Sequence, residues 1–317
     1  MVGLSKKRFF ALPSELRRFG ILGINARNIE FMLGPGKRSL YPSVDNKVLT
    51  KEICISNNIP VSETYAIINR FGDISKAIEL IENLDEFVIK PASGTAGHGI
   101  LVVIGKKGNK FETSKGETFS LSQMRYHIST ILSGLYSLGS HTDAAIIEKR
   151  IPPHSVFGGL AVTGTPDIRI IIYKGTPVMA MLRLPTNISG GRANLHQGAL
   201  GVGIDLKKGF TLGGVWQNRL LDVHPDTGEQ IQGLAIPEWE KVVMVATKFS
   251  DIVGLRYIGV DIVIDAEQGP IILEANARPG LSIQLANRRG LWPGLQLIDK
   301  RTKLRFKYQK DSKYLLD

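Results

Sequence analysis

The sequence predicts an α+β fold whose two lobes face each other across a cleft, and three observations carry that prediction. Short β-branched runs alternate with amphipathic stretches through residues 61–149. A run of strands divided by one polar loop follows Pro152-Pro153, and the last two apolar strands end in acidic residues. With 317 residues, 43% of them hydrophobic, the chain can build two ordinary cores, and no internal repeat or low-complexity block suggests a solenoid or a disordered chain.

Residues 1–44 contain several Gly and Pro, including Gly34-Pro35-Gly36, without a strand–helix repeat, and read as a leader segment. A helical pattern opens at Asp45, placed to cap it, and runs through Val48, Leu49, Ile53 and Cys54 to stop before Pro60. Strands are expected at 61–68, 87–90, 100–104, 110–113 and 144–149, with helices at 74–83 and 121–138. Beyond residue 152 the expected strands are 168–173, 177–184, 201–206, 257–265 and 270–276. One helix spans 237–253, and the polar loop is 185–198.

Composition narrows the function classes. The single cysteine, Cys54, leaves no internal disulfide framework and no Cys-rich zinc site; it reads as a buried helix residue and fits a reducing, cytoplasmic setting. No run approaches the ~18 apolar residues that span a bilayer, and Phe9-Phe10-Ala11-Leu12 is too short for a signal peptide. The net charge of +11 is concentrated partly in the last residues, where Lys and Arg interleave with Leu304, Phe306, Tyr308 and Tyr314. That run is expected to be a solvated, partly helical tail rather than a nucleic-acid surface.

Two segments carry chemistry. Pro91-Ala92-Ser93-Gly94-Thr95-Ala96-Gly97-His98-Gly99 follows Lys90 between two expected strands. It is not a P-loop, which needs Gly-Lys-Ser/Thr running into a helix, but a glycine hairpin with a lysine at its base can cradle phosphates. Gly259-Val260-Asp261 and Ile271-Ile272-Leu273-Glu274-Ala275-Asn276 form the second. Period two puts Glu274 and Asn276 on one face, and antiparallel pairing brings Asp261 beside them, a set of hard oxygen donors suited to Mg²⁺. Arg169, inside an apolar strand, needs a partner, for which Asp167 is the local candidate. Arg192, Asn194 and His196 offer a cation, an amide and an imidazole for gripping an acidic substrate or placing its amine.

Taken in order, Lys47 in Asn46-Lys47-Val48-Leu49-Thr50-Lys51, Lys90 with its glycine loop, and the Asp261, Glu274 and Asn276 set resemble an ATP-grasp enzyme over residues 45–287. The segment from Gly190-Gly191-Arg192 to Gln197-Gly198 is most similar to the RimK-like α-L-glutamate ligases. The resemblance implies two α+β subdomains gripping ATP. Residues 45–150 would form the N-terminal region with its glycine-rich lid, 151–290 the C-terminal subdomain with the metal site, and 291–317 a basic tail. It implies that Lys47 and Lys90 contact phosphates under a lid formed by Ser93, Gly94, Thr95, Gly97, His98 and Gly99. Glu148, Lys149 and Ile151 would form the adenine-reading hinge. Pro152-Pro153-His154-Ser155 stands where relatives carry a ribose-binding carboxylate. Arg183 and Arg278 would face the transferring phosphoryl group and the substrate carboxylate, and Arg169, Arg192, Asn194 and His196 the substrates.

The activity so implied is that of a ligase. ATP, with two Mg²⁺ ions or Mn²⁺ in their place, would activate a carboxylate as an acyl phosphate and an amine would capture it, adding glutamate or another amino acid to a peptide, protein or small molecule. An enzyme acting on a carbohydrate or lipid-linked precursor, and a catalytically silent ATP-binding regulator, are the alternatives. The acidic set argues against silence.

Overall fold

The computed structural model describes residues 11–32, 38–94, 97–137, 141–161 and 164–313, with side chains through Thr302. Two antiparallel-rich sheets dominate it. The smaller is built from β1 (Thr64–Ile68), β2 (Phe87–Pro91), β3 (Leu101–Lys107), β4 (Lys110–Thr113), β5 (Thr118–Phe119) and β6 (Ala145–Glu148) in the order β1-β6-β2-β3-β4-β5. The larger contains β7 (Asp167–Tyr173), β8 (Thr176–Leu184), β9 (Leu200–Ile204), β10 (Thr211–Trp216), β11 (Arg219–Leu221), β12 (Tyr257–Asp265) and β13 (Gly269–Asn276), ordered β11-β10-β9-β8-β7-β12-β13. The expected α+β class is met.

Each sheet forms because it can bury one face or two. Helices Ile74–Glu82 and Leu121–Leu132 lay Ile78, Ile81, Met124, Ile128 and Ile131 on the smaller sheet. The larger sheet is buried on both faces, which is why β7 and β12 read as near-continuous apolar runs. Helix Trp239–Val253 covers one face with Val242, Ala246 and Phe249. The other is covered by the two ends of the chain, Leu22, Phe31 and Met32 from one side and Leu291 and Leu295 from the other.

Several boundaries move for identifiable reasons. The helix expected from Asp45 is Lys47–Ser56, capped by Asn46, whose side chain accepts from the Val48 N–H at 2.8 Å; Asp45 ends a preceding turn, Pro42–Asp45. The helix expected to reach residue 138 stops at Leu132, just before Ser133-Gly134. Strands β10 and β11 were not expected, because Gly213-Gly214 interrupts the apolar pattern. The helix Trp292–Lys313 begins with Leu295 fully buried, so what reads as a solvated tail is anchored at its start.

The chain ends meet tightly. The Trp292 N–H donates to the Gly20 carbonyl at 3.1 Å, and Gln284 ties both sides by accepting from the Leu22 and Leu291 N–H groups. A Cβ on Gly290 would lie 1.8 Å from the Gly20 carbonyl oxygen, so glycine is required there. Gly290→Ala is therefore expected to lower stability by about 1–3 kcal/mol through overpacking. Gly23→Ala, whose Cβ meets nothing within 4 Å, should be nearly neutral. Thermal melting of both variants checks this, and equal midpoints would show that the ends do not pack this closely.

Candidate active site

A cleft of about 870 Å³ lies between the two sheets, a size in the usual range for ligand pockets. Its floor on the large sheet is a lattice of four charges that register alone dictates. Asp167 lies opposite Arg183 on β8, and Asp261 lies opposite Arg169 on β7 and Glu274 on β13. Directly opposed residues are the closest across a sheet, so Arg169 pairs with Asp261 and not with Asp167, the local candidate.

Arg169 Nε and Nη2 grip the two oxygens of Asp261, the first at 2.6 Å. Arg183 Nε and Nη2 grip Asp167 in the same forked way, and Nη2 also reaches Asp261 at 2.8 Å. Two cations and two anions cancel, which makes their burial tolerable. Among the described residues, Nη1 of each arginine takes part in none of these bonds, and both arginines line the cleft. Each guanidinium thus keeps an unused donor edge for an anion.

The lattice also sets proton affinities. Burial pushes the Asp167 carboxyl up and Arg183 pulls it down; with the Asp261 charge beside it, it is left at about 7. Burial acts on Asp261 too, but two guanidiniums overcome it and hold that carboxyl at about 2. Asp167 is the member that takes up a proton first as pH falls.

The small-lobe wall repeats the device with lysines. Glu148 on β6 is buried and accepts from Lys51, from Ser62 Oγ at 3.0 Å and, at 2.5 Å, pairs with Lys90 on β2. Burial raises the Glu148 carboxyl, yet Lys90 and Lys51 bring it below the usual range, so it is an anion locked between cations. Its carboxylate is committed to the two lysines, and it is the 148–151 segment as a whole, with Lys149 and Ile151, that borders the cleft. Lys51 had no expected role, although it sits one helical turn after Lys47 on the same face.

Lys47 links the lobes, donating to the Gly94 carbonyl at 2.8 Å and standing 3.6 Å from Glu274. The glycine loop is fastened elsewhere too. The Ser93 N–H donates to Asp143 at 3.0 Å, and His127 Nε2 lies 3.0 Å from the Gly99 carbonyl. Burial holds the His127 imidazole below its usual pKa and favours the neutral ring. Gly99 has φ +74°, and a Cβ there would fall 2.6 Å from the Tyr136 ring. Across the cleft, His98 lies 3.4 Å from Gln197, and Gly97 faces the Arg192 stem. Thr95, expected in this lid, lies outside the described residues. Asp143 and His127 left no motif in the sequence.

Of the expected metal donors, Glu274 and Asn276 line the cleft while Asp261 is fully buried behind them. A bulge between Asp261 and Ile262 on the β12–β13 ladder sits beside Glu274 and lets Leu273 and Glu274 both border the cleft. Asn276 Nδ2 donates to Asp261 at 3.3 Å, which fixes the amide and leaves its carbonyl end as the donor a cation would use. A carboxylate and an amide oxygen fit a hard cation that keeps other positions for water and phosphate; the Asp261 oxygens are occupied by the arginines.

Arg192, Asn194 and His196 border the cleft, and Asn194 Oδ1 accepts from the His196 N–H at 3.0 Å. Arg278 does not border it: the side chain is half exposed, 3.4 Å from Asp45, with its guanidinium 4.9 Å from the centre of the Tyr41 ring.

Residues 26–300 match the family described as sugar-transfer-associated ATP-grasp. No functionally curated protein matches the sequence. Among solved structures, the chain is similar to a Bacillus anthracis D-alanine–D-alanine ligase complexed with ATP (14% identity, TM-score 0.49, 87% of this chain, 71% of that one). The D-cycloserine synthetase DcsG is similar at 13% identity and TM-score 0.45, over 81% of this chain and 70% of that one. A Chryseobacterium gregarium RiPP-associated ATP-grasp ligase with ADP and a leader and core peptide follows at 14% identity and TM-score 0.45. There the matched region is 84% of this chain and 62% of that one, less than two thirds of its length.

The lattice can be tested through stability alone. An unfolded aspartate titrates near ~3.9, so the folded chain binds the extra Asp167 proton between about pH 4 and 7. That group therefore makes the fold more stable as pH falls from 8 towards 6. Asp167→Asn should remove this part of the pH dependence. Melting midpoints of the two proteins across that range check it, and parallel curves would mean that Asp167 carries no raised pKa.

Proposed function

We propose that this chain, which belongs to the sugar-transfer-associated ATP-grasp family, uses Mg-ATP to activate a carboxylate and join it to an amine. The observation that carries the reading is the convergence of two charge devices on one cleft. Lys47 and Lys90 stand by the glycine loop, and Arg169 and Arg183, whose Nη1 groups take no part in the charge lattice, line the opposite floor with Glu274 and Asn276. A triphosphate under the glycine loop would put its terminal phosphoryl group between these walls, where guanidinium donors hold charge as it shifts from ATP to the acyl phosphate.

Glu274 and Asn276 would hold Mg²⁺. The ion would neutralise charge on the phosphate oxygens, and the protein groups do the rest. Lys47 positions the loop through Gly94, and the lattice holds Arg183 in one orientation. Arg192 and His196, which line the cleft, would serve the substrate carboxylate and amine, and the glycine loop would keep water from the reactive anhydride. Once the amine attacks the acyl carbon, the C–O bond to phosphate breaks, and phosphate leaves as the amide forms.

An amino acid or peptide is the carboxylate and amine pair this reading names first. A carbohydrate or lipid-linked precursor is the second, favoured by the family description. ADP release measured against pools of amino acids, peptides and carboxylated sugars, with mass spectrometry of products, tests both. The expected result is Mg²⁺-dependent ADP formation that needs both a carboxylate and an amine. Absence of turnover in every pool would make the chain a silent nucleotide binder.

Two substitutions separate binding from chemistry. Lys47→Ala should weaken ATP affinity by roughly 10- to 150-fold, since one charge-assisted contact is worth roughly 1.5–3 kcal/mol. Arg183→Lys keeps the charge but loses the fork, and should lower the rate at least tenfold with little change in ATP affinity. Arg278→Ala, at an exposed position, should lose far less than Arg183→Lys. A larger loss at Arg278 would shift the phosphoryl-stabilising role to it.

A further inference from the structure

The chain's net charge is segregated. Residues 1–38 carry eight Lys and Arg against two Glu, and residues 288–317 carry nine against three acidic residues. The 249 residues between them carry 23 basic against 24 acidic side chains, so the net charge of +11 belongs to the two ends. In the fold the described parts of these ends, residues 11–32 and 288–302, are not apart. They pack together on the outer face of the large sheet, stitched by Trp292 to Gly20, by Gln284, and by Phe31 edge-on to Trp292 with ring centroids 5.5 Å apart.

Among the described residues, the same region exposes several large apolar side chains. Phe19 is 70% exposed, Ile24 62% and Ile29 66%, with Leu12 and Leu16 also open. This surface lies beside a shallow groove of about 310 Å³ lined by Val178, Met179, Leu291, Pro293 and Leu297, and Pro293 touches Gly20, next to Phe19. The helix Trp292–Lys313 then carries Lys300 and Arg301, both exposed, and its sequence continues with Lys303, Arg305, Lys307, Lys310 and Lys313.

From this we infer that the face formed by the two chain ends docks on an anionic lipid surface, with the aliphatic and aromatic side chains entering the headgroup boundary and the basic helix meeting the lipid charge. Interfacial binding needs buried apolar area and cationic attraction together, and both are present here in segments that pack on each other. A second copy of the chain fits less well, because a two-fold interface would set each basic patch against itself. Nucleic acid would use the charge but has no need of exposed Ile and Leu. No helix among the described residues is long and apolar enough to cross a membrane. This inference stands apart from the chemistry in the cleft, since it uses none of its residues.

The test is co-sedimentation of the full chain with phosphatidylcholine vesicles, alone or with about one third phosphatidylglycerol. Retention on the anionic vesicles only is expected. Phe19→Ser combined with Ile29→Ser should reduce that retention at least tenfold, as should Lys300→Glu with Arg301→Glu, and circular dichroism should show an unchanged fold in each. All four positions are exposed, so the fold should tolerate them. The inference fails if neither vesicle retains the chain, if both retain it equally, or if Phe19 and Ile29 can be replaced without effect. It fails equally if light scattering finds a dimer that the Phe19 and Ile29 substitutions make monomeric, since a second copy then covers the face. Double-stranded DNA that binds wild type and the Phe19/Ile29 variant alike, with no vesicle binding, would assign the charge to nucleic acid.

Discussion

Everything at the cleft depends on one constraint: charges buried in a sheet must be matched before they can be used. Arg169, Arg183, Asp167 and Asp261 sit on neighbouring strands, and Asp261 is fully buried. Removing one partner from such a set typically costs about 3–5 kcal/mol, because the group left behind keeps its desolvation penalty. The four satisfy one another, and that holds each guanidinium in a single pose. What remains of each arginine is one donor edge, prepaid in position. Glu148 with Lys51 and Lys90 does the same for the opposite wall.

Short contacts join the two walls. Lys47 touches the glycine loop and approaches Glu274, so one cation contacts both walls. The loop is held at Ser93 by Asp143 and at Gly99 by His127, which limits where its backbone donors can point. The β12–β13 bulge is a small irregularity with a large effect, since it brings Glu274 to the cleft border while its register partner Asp261 stays below. Local geometry thus sorts two carboxylates into two tasks. One anchors arginines and one is open to a cation.

Much of this was legible in the sequence, and the misses have physical causes. Period-two patterning placed β12 as 257–265, and β13 within one residue, because long apolar strands with acidic ends have few other readings. Gly213-Gly214 hid β10, where the pairing comes from neighbours rather than from propensity. Alternation anticipates Glu274 and Asn276 on one face with Asp261 on the neighbouring strand, but not the arginines that take the Asp261 oxygens and leave it out of the cleft lining. Those follow from cross-strand register, which depends on how the sheet assembles. For the same reason Asp167 was matched to Arg169, two residues away, when the partner was Arg183, sixteen away. Lys51 could have been found by asking which residue shares a helix face with Lys47. Nothing in the sequence pointed to His127 or Asp143, whose roles arise only when the Leu121–Leu132 helix and the segment before β6 close on the glycine loop.

The central claim is that the cleft activates a carboxylate by transferring phosphate onto it, and oxygen transfer measures this directly. With a substrate carboxylate carrying ¹⁸O in both oxygens, the account predicts that each turnover delivers one ¹⁸O to inorganic phosphate, because the bond formed to phosphorus uses a carboxylate oxygen and the bond broken by the amine is carbon–oxygen. Phosphate that forms with product but carries no ¹⁸O from the carboxylate would contradict it, since the phosphoryl group would then have passed to water or to another acceptor.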